Sequence, residues 1–191
     1  MTAGPTLGCS IVTRGDDNND LVHKMLQKCN DLGLHDRLVL LDREFYAVDV
    51  MEQIRSSGRS FVMPVPKSTV VQKMLSEHDK KIRKPVSLYT VKSTTDSFEY
   101  TLVIVPSSKH KKSDDICERY HAFATNLNIR NAAKLVEIIP QEYRRRWDIE
   151  SGYRVVEQRR AHTTSKNSTI RSVVLLYSNV VQRVASPPMA A

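Results

Sequence analysis

Four consecutive apolar residues, Leu38-Val39-Leu40-Leu41, stand between the charged pairs Asp36-Arg37 and Asp42-Arg43. A run this short, without polar alternation, reads as a strand covered on both faces, as happens when helices pack on both sides of a sheet. Its neighbours agree with that reading. Before it, Leu21, Val22, Met25, Leu26 and Leu32 place one apolar stripe on a helix over 21–32, with Gly33 as its stop. After it, Val48, Val50, Met51 and Ile54 form a second helix closed by Ser57-Gly58, and Ser60-Phe61-Val62-Met63-Pro64 returns as a strand. The apolar, β-branched stretch 6–13 opens the series as a further strand and ends in turn chemistry at 14–20. There Asp16, Asn18 and Asp20 supply a turn and a helix N-cap rather than a calcium loop, because Leu21 occupies the position where such a loop needs glycine. Strand, helix, strand, helix, strand in this order implies a parallel portion of an α/β sheet.

From residue 66 the texture changes. A short basic helical piece at 70–75 and the run Lys80-Lys81-Ile82-Arg83-Lys84-Pro85 lead into two strand-like segments, 86–92 and 98–105. Ser93-Thr94-Thr95-Asp96-Ser97 between them reads as the turn of a hairpin. A polar loop over 106–115 carries Lys109-His110-Lys111-Lys112, and 119–125 is one more strand. Such a charge run is either a solvated loop or a surface that reaches phosphates. Beyond residue 128 the pattern is helical: 131–138, a new helix beginning at Pro140 and running to about Arg160, and 170–184. Val173, Val174, Leu176, Tyr177 and Val180 give the last helix a buried face, and 186–191 is a tail.

Lys and Arg number 29 against 21 Asp and Glu, a net charge of +8 with a pI near 9.5, which points to an anionic partner and first to nucleic acid. The longest apolar run, around 173–177, falls far short of the ~20 residues that a membrane span needs. Cys9, Cys29 and Cys117 are odd in number and widely spaced, which indicates free thiols in a reducing cytosol. The six histidines show no zinc-ligand spacing.

Two places carry chemistry. Asp42 stands just beyond the 38–41 strand, and carboxylates at the carboxyl ends of such strands line the crevice where ligands bind. It is either a metal ligand or the N-cap of the next segment. The second place is Tyr143-Arg144-Arg145-Arg146-Trp147-Asp148-Ile149-Glu150, continuing through Tyr153-Arg154. At about 100° per residue, Tyr143, Arg146, Glu150 and Arg154 share one helix face. That face is either solvated or built to hold a phosphodiester beside a metal ion. Residues 130–171 hold ten Lys and Arg against five Asp and Glu, so the positive charge gathers around Glu150.

The spacing Tyr143-x2-Arg146-x3-Glu150 resembles the Tyr-Arg-Glu-Lys signature of insertion-sequence DDE transposases of the insertion-sequence-four family. The final Lys of that signature corresponds here to Glu157, while Arg154 on the same face offers a compensating cation. Upstream, Leu38-Val39-Leu40-Leu41-Asp42-Arg43-Glu44-Phe45-Tyr46 is similar to the strand-ending Asp block of the family, and Phe123-Ala124-Thr125-Asn126 and Thr163-Thr164-Ser165-Lys166 match in order. The resemblance implies an α/β fold, a partial ribonuclease H-like fold with an inserted β-rich segment and a helical carboxy-terminal part. On this basis 1–66 forms the second half of the ribonuclease H-like core, 67–128 the β-rich insertion, 129–185 the helical part that returns with the Glu helix, and 186–191 the tail.

By the same resemblance Asp42 and Glu150 are the second and third carboxylates that hold Mg²⁺ or Mn²⁺. Tyr143, Arg144, Arg145, Arg146, Arg154 and Lys166 would contact DNA. The implied partner is double-stranded DNA at transposon ends, with no membrane, and with a homodimer or a full-length transposase as the assembly; the implied location is the cytoplasm, on the nucleoid. The family's first Asp lies on an earlier strand, and 41 residues precede Asp42. The expectation is therefore an amino-terminally truncated transposase that binds DNA but is catalytically incomplete. Its alternatives are a non-catalytic DNA-binding or subunit-poisoning module and a metal-dependent nuclease.

Overall fold

The computed structural model describes residues 17–34, 38–129, 131–144 and 146. All but Arg146 belong to one compact unit, Leu7–Arg144. The strand read at 6–13, the helix read at 170–184 and the tail lie outside the described residues.

In chain order the elements are α1 (Asn18–Asp31), β1 (Leu38–Leu40), a 3-10 turn (Arg43–Phe45), α2 (Val48–Ser56), β2 (Ser60–Pro64), α3 (Thr69–Asp79), β3 (Val86–Lys92), β4 (Ser97–Pro106), α4 (Ile116–Arg119), β5 (Tyr120–Thr125) and α5 (Ala132–Arg144). Helix ends follow local chemistry. Asp17 caps α1 by accepting from Asn19 N, Ser68 caps α3 by accepting from Val71 N, and Gly33 and Gly58 take positive φ just past α1 and α2. Capped at Ser68, α3 extends to Asp79, beyond the short piece read at 70–75.

The five strands form one mixed sheet in the order β1-β2-β5-β4-β3. β1 and β2 are parallel, with Leu38 opposite Ser60 and Leu40 opposite Val62. The remaining pairs are antiparallel, including the hairpin β3/β4. The strands of the segment 67–128 thus continue the sheet that β1 and β2 begin, joined to it where β5 pairs with β2.

Strand alternation sorts side chains into two cores. Phe61, Met63, Phe98, Tyr100, Leu102, Ile104, Ala122 and Ala124 pack with residues of α1, α2 and α3 on one face. Val62, Val103, Val105 and Phe123 pack with Leu135 and Ile139 of α5 on the other. β4 shows the effect within one strand: exposed and buried residues alternate over 97–100, whereas 102–105 are buried without a break. Both faces are covered there, so its second half needs the continuous apolar sequence Leu102-Val103-Ile104-Val105.

Two expectations need correction. The 38–41 strand does divide its side chains between the cores, Val39 and Leu41 to one and Leu38 and Leu40 to the other, but all are only half-buried. Among the described residues β1 is the edge of the sheet, so its backbone is flanked on one side alone. Pro140 does not begin a helix; it lies inside α5. A proline there lacks the N–H for one helical bond, and the stripe Leu135, Ile139 and Tyr143, spaced by four, holds α5 to the sheet across it.

The junction of β2 with β5 is reinforced by side chains. Asn126, one residue past β5, accepts from Phe61 N (2.8 Å) and donates to Arg59 O (3.1 Å), while Thr125 Oγ1 donates to Phe61 O (2.6 Å). Asn126→Ala leaves two main-chain groups, Phe61 N in β2 and Arg59 O just before it, without these partners, and unfolding free energy should fall by about 1–3 kcal/mol. A urea midpoint unchanged from the parent would show that the side chain carries no part of the junction.

Candidate functional site

The sheet topology collects several loops at one edge. β1 and β2 are parallel and β5 is antiparallel to β2, so the start of β5 lies beside the end of β2. Val65 N donates to Ala122 O (2.9 Å), continuing that pairing past Pro64. β4 is antiparallel to β5, so its end, Pro106 opposite Tyr120, emerges at the same edge. The turn after β1, the segment 65–68 after β2 and the loop 107–115 with Lys109-His110-Lys111-Lys112 therefore all leave the sheet together.

Asp42 is exposed, directly after β1, and its Oδ1 accepts from Arg43 N (2.7 Å) to cap the 3-10 turn. The capping reading is thus realised. It is compatible with metal ligation, since an ionised carboxylate offers two oxygens and about four lone-pair positions.

Beside it, a pocket of about 130 Å³ opens between Arg43, Lys67, His121 and Tyr143, with Val65, Val71, Leu75, Ala122 and Phe123 among its apolar walls. Tyr143 reaches it from the last turn of α5, its ring 5.2 Å from that of Phe123. The first residue of the signature spacing and the residue after Asp42 therefore line the same cavity, although 99 positions separate Arg43 from Tyr143.

The electrostatics of the pocket are one-sided. The ion pairs among the described residues join Arg55 to Glu52, Arg83 to Glu77 and Arg119 to Asp79, and none involves Arg43 or Lys67. Lys67 is fixed at its backbone, where its carbonyl accepts from Gln72 Nε2 (3.3 Å). His121 is exposed as a residue, yet desolvation against the pocket wall, followed by the positive charges of Lys67 and His110, holds its imidazole below the ordinary histidine value.

The model of the transposase DDE domain family matches residues 2–180. The chain belongs to that family. No match was found among curated proteins. DDE transposase domains generally use divalent metal ions and bind DNA, and the mixed five-stranded α/β fold is consistent with the ribonuclease H-like architecture of such domains.

Within this transposase domain the described residues place Asp42 at the edge, Tyr143 in the pocket and Arg144 exposed at the end of α5. Arg146 is helical and falls in the second compact unit. Arg145, Glu150, Arg154, Glu157 and Lys166 lie outside the described residues. No group of three His, Cys, Asp or Glu that could hold a metal ion occurs among the described residues, and no helix there is long and apolar enough to cross a membrane. Cys29 and Cys117 are free thiols. Lys67 and His121 were not singled out from sequence. An isolated lysine after a proline and a histidine in a strand carry no periodic signal, whereas Arg43 stood next to Asp42 in a block already marked.

The cluster can be tested by following His121 in an NMR pH titration. Its midpoint should lie below the ordinary value of about 6.5, and Lys67→Met should raise it by removing a cation. His110→Asn should raise it less, and neither variant should restore the ordinary value, because desolvation is the larger cause. A midpoint indifferent to Lys67→Met would place that ammonium away from the ring.

Proposed function

We infer that this chain is a transposase-like protein for DNA transposition by metal-dependent DNA cleavage and strand transfer, and that it holds DNA across the edge carrying Asp42. The observation that carries this reading is the shared pocket of Arg43 and Tyr143, which brings the neighbour of the Asp block and the first residue of the signature together in a chain of this family. In this reading the segment 67–128 is a β-rich insertion in a ribonuclease H-like core, and the Tyr-Arg-Glu spacing is that of the insertion-sequence-four family.

Asp42 and Glu150 would hold Mg²⁺ or Mn²⁺, hard cations suited to carboxylate oxygens. Such ions, when bound, polarise the phosphodiester and ready an oxygen nucleophile for in-line attack. The chain's own part is to position the strand. Tyr143, Arg144, Arg145, Arg146, Arg154 and Lys166 contact backbone phosphates, guanidinium groups by paired N–H donors, and Arg154 offsets the negative charge of Glu157. The partner is duplex DNA at transposon ends, in an assembly with a second copy or a full-length transposase.

Binding of this kind is electrostatic and tolerant of sequence. Fluorescence anisotropy over a salt series should show Arg146→Ala weakening all duplexes alike and flattening the slope of log K against log salt by about 0.9. A loss confined to one duplex sequence would indicate base reading instead.

Catalysis is a separate matter from binding. The family uses three carboxylates, and in this reading Asp42 and Glu150 are the second and third; a preorganised site that lacks its first carboxylate loses rate by orders of magnitude. The 191-residue polypeptide should therefore bind duplexes without nicking or joining them in Mg²⁺ or Mn²⁺. Metal-dependent nicking on a strand-cleavage gel, abolished by Asp42→Ala, would overturn the catalytic incompleteness and reveal a third carboxylate within the chain.

A further inference from the structure

The pocket beside Asp42 combines three properties that the signature residues do not account for. Arg43 and Lys67 are exposed cations with no ion pair among the described residues, and they flank one cavity. Its floor is apolar, formed by Val65, Val71, Leu75, Ala122 and Phe123. A low-dielectric wall behind unpaired cations strengthens their field toward solvent, which is how clefts concentrate anions. The groups facing the pocket come from four places: Arg43 from the 3-10 turn, Lys67 ahead of α3, Tyr120 and His121 from β5, and Tyr143 from α5. His110 of the neighbouring loop also acts on His121. Carboxylates are present at this edge too: Asp42 and Glu44 flank Arg43 in the chain, Asp79 accepts from Tyr120 Oη (2.9 Å) and from Arg119, Asp115 accepts from Cys117 N (2.7 Å) and Glu118 from Ser113 Oγ (2.7 Å), but among the described residues none of them lines the cavity.

We propose that Arg43, Lys67 and His121 form a built site for a backbone phosphate of the bound DNA, with the adjoining deoxyribose lying over the apolar floor, so that the β-rich segment grips the strand beside Asp42. The two cations neutralise the phosphate. His121 adds an N–H donor, and in the free protein desolvation, followed by Lys67 and His110, holds its imidazole below the ordinary histidine value. The proposal rests on the reading of this chain as DNA-binding and adds to it a contact made by elements outside the signature helix. It also assigns a role to the position of Lys67, which the bond from Gln72 and the Ser68 cap hold at the start of α3.

The test uses the 191-residue chain and a labelled duplex in fluorescence anisotropy across a salt series, with circular dichroism to confirm that each variant is folded. Arg43→Ala and Lys67→Ala should each weaken binding several-fold and reduce the salt slope by about 0.9. His121→Ala should weaken binding near neutral pH and reduce the slope less than either cation variant does, because the imidazole of the free protein is held below the ordinary histidine value. Lys92→Ala serves as control, since Lys92 ends β3 at the opposite edge of the sheet. It should leave both affinity and slope unchanged. If Arg146→Ala weakens binding while Arg43→Ala and Lys67→Ala do not, the phosphate site is overturned and the DNA-binding reading stands. If the unaltered chain binds no duplex, both fall. An effect of Lys92→Ala equal to that of Lys67→Ala would overturn the site in favour of a general dependence on net charge. Inorganic phosphate bound at Lys67 as tightly as a duplex would overturn it in favour of a free-anion site.

Discussion

The pairing of β2 with β5 is the constraint on which the rest of the described structure depends. It joins the parallel pair β1/β2 to the antiparallel strands β3, β4 and β5 through three register positions, Val62 with Thr125, Met63 with Ala124 and Pro64 with Phe123. A proline in an interior strand normally forfeits a ladder bond. Here the loss is small. N–H and C=O of one strand residue point to the same side, and Val62 O faces β1, where it accepts from Leu41 N (3.1 Å). Pro64, two residues on, turns its nitrogen to that same side, so the bond it lacks is the single one toward Leu41, just past the end of β1. The β5 side stays fully paired through Val65 at one end and Asn126 at the other. The sheet therefore continues past the proline only toward β5, and this places the start of β5, with His121, next to Lys67.

That arrangement explains why much of the fold was legible in the sequence. The hairpin β3/β4 and the strand β2 are local patterns of alternation bounded by turn residues, and the segments read from them agree closely with the observed strands. Helices α1 and α2 end where Gly33 and Gly58 permit positive φ, a constraint visible in two residues. What sequence could not reveal was tertiary. Pro140 marks a helix start by local rule, and the burial of Ile139 between Leu135 and Tyr143 overrides that rule. Likewise, apolar content alone did not show that β1 would lie at the edge of the described sheet, because exposure there depends on which strands pair and not on the strand itself.

The candidate site was legible in the same uneven way. Asp42 and Tyr143 were marked by their residue types and spacing. The cavity that Tyr143 shares with Arg43 arises only because α5 packs across the sheet and the β2/β5 junction brings two distant segments together. Phe123-Ala124-Thr125-Asn126 illustrates a different lesson. The block stands out in sequence as part of a resemblance, yet its described contacts are structural: Thr125 and Asn126 complete the main-chain bonding of β2, and Phe123 supports Tyr143.

The distribution of ion pairs separates cations that serve the fold from those that serve the edge. Arg119 binds Asp79 with both terminal nitrogens at 3.1 Å, and Tyr120 donates to the same carboxylate, so this arginine ties the end of α3 to the start of β5. Arg83 meets Glu77 at 3.1 Å beyond the end of α3, and Arg55 pairs with Glu52 within α2. Each of these cations has a carboxylate near it in sequence or in the fold. Arg43 and Lys67 have no ion pair among the described residues, although Asp42 and Glu44 flank Arg43 in the chain. Exposed pairs contribute little to stability, so leaving these two cations unpaired costs the fold almost nothing. It does leave a positive field over an apolar cavity, and a polyanion gains most from such a field because its charges are spaced along a backbone and can be met one after another.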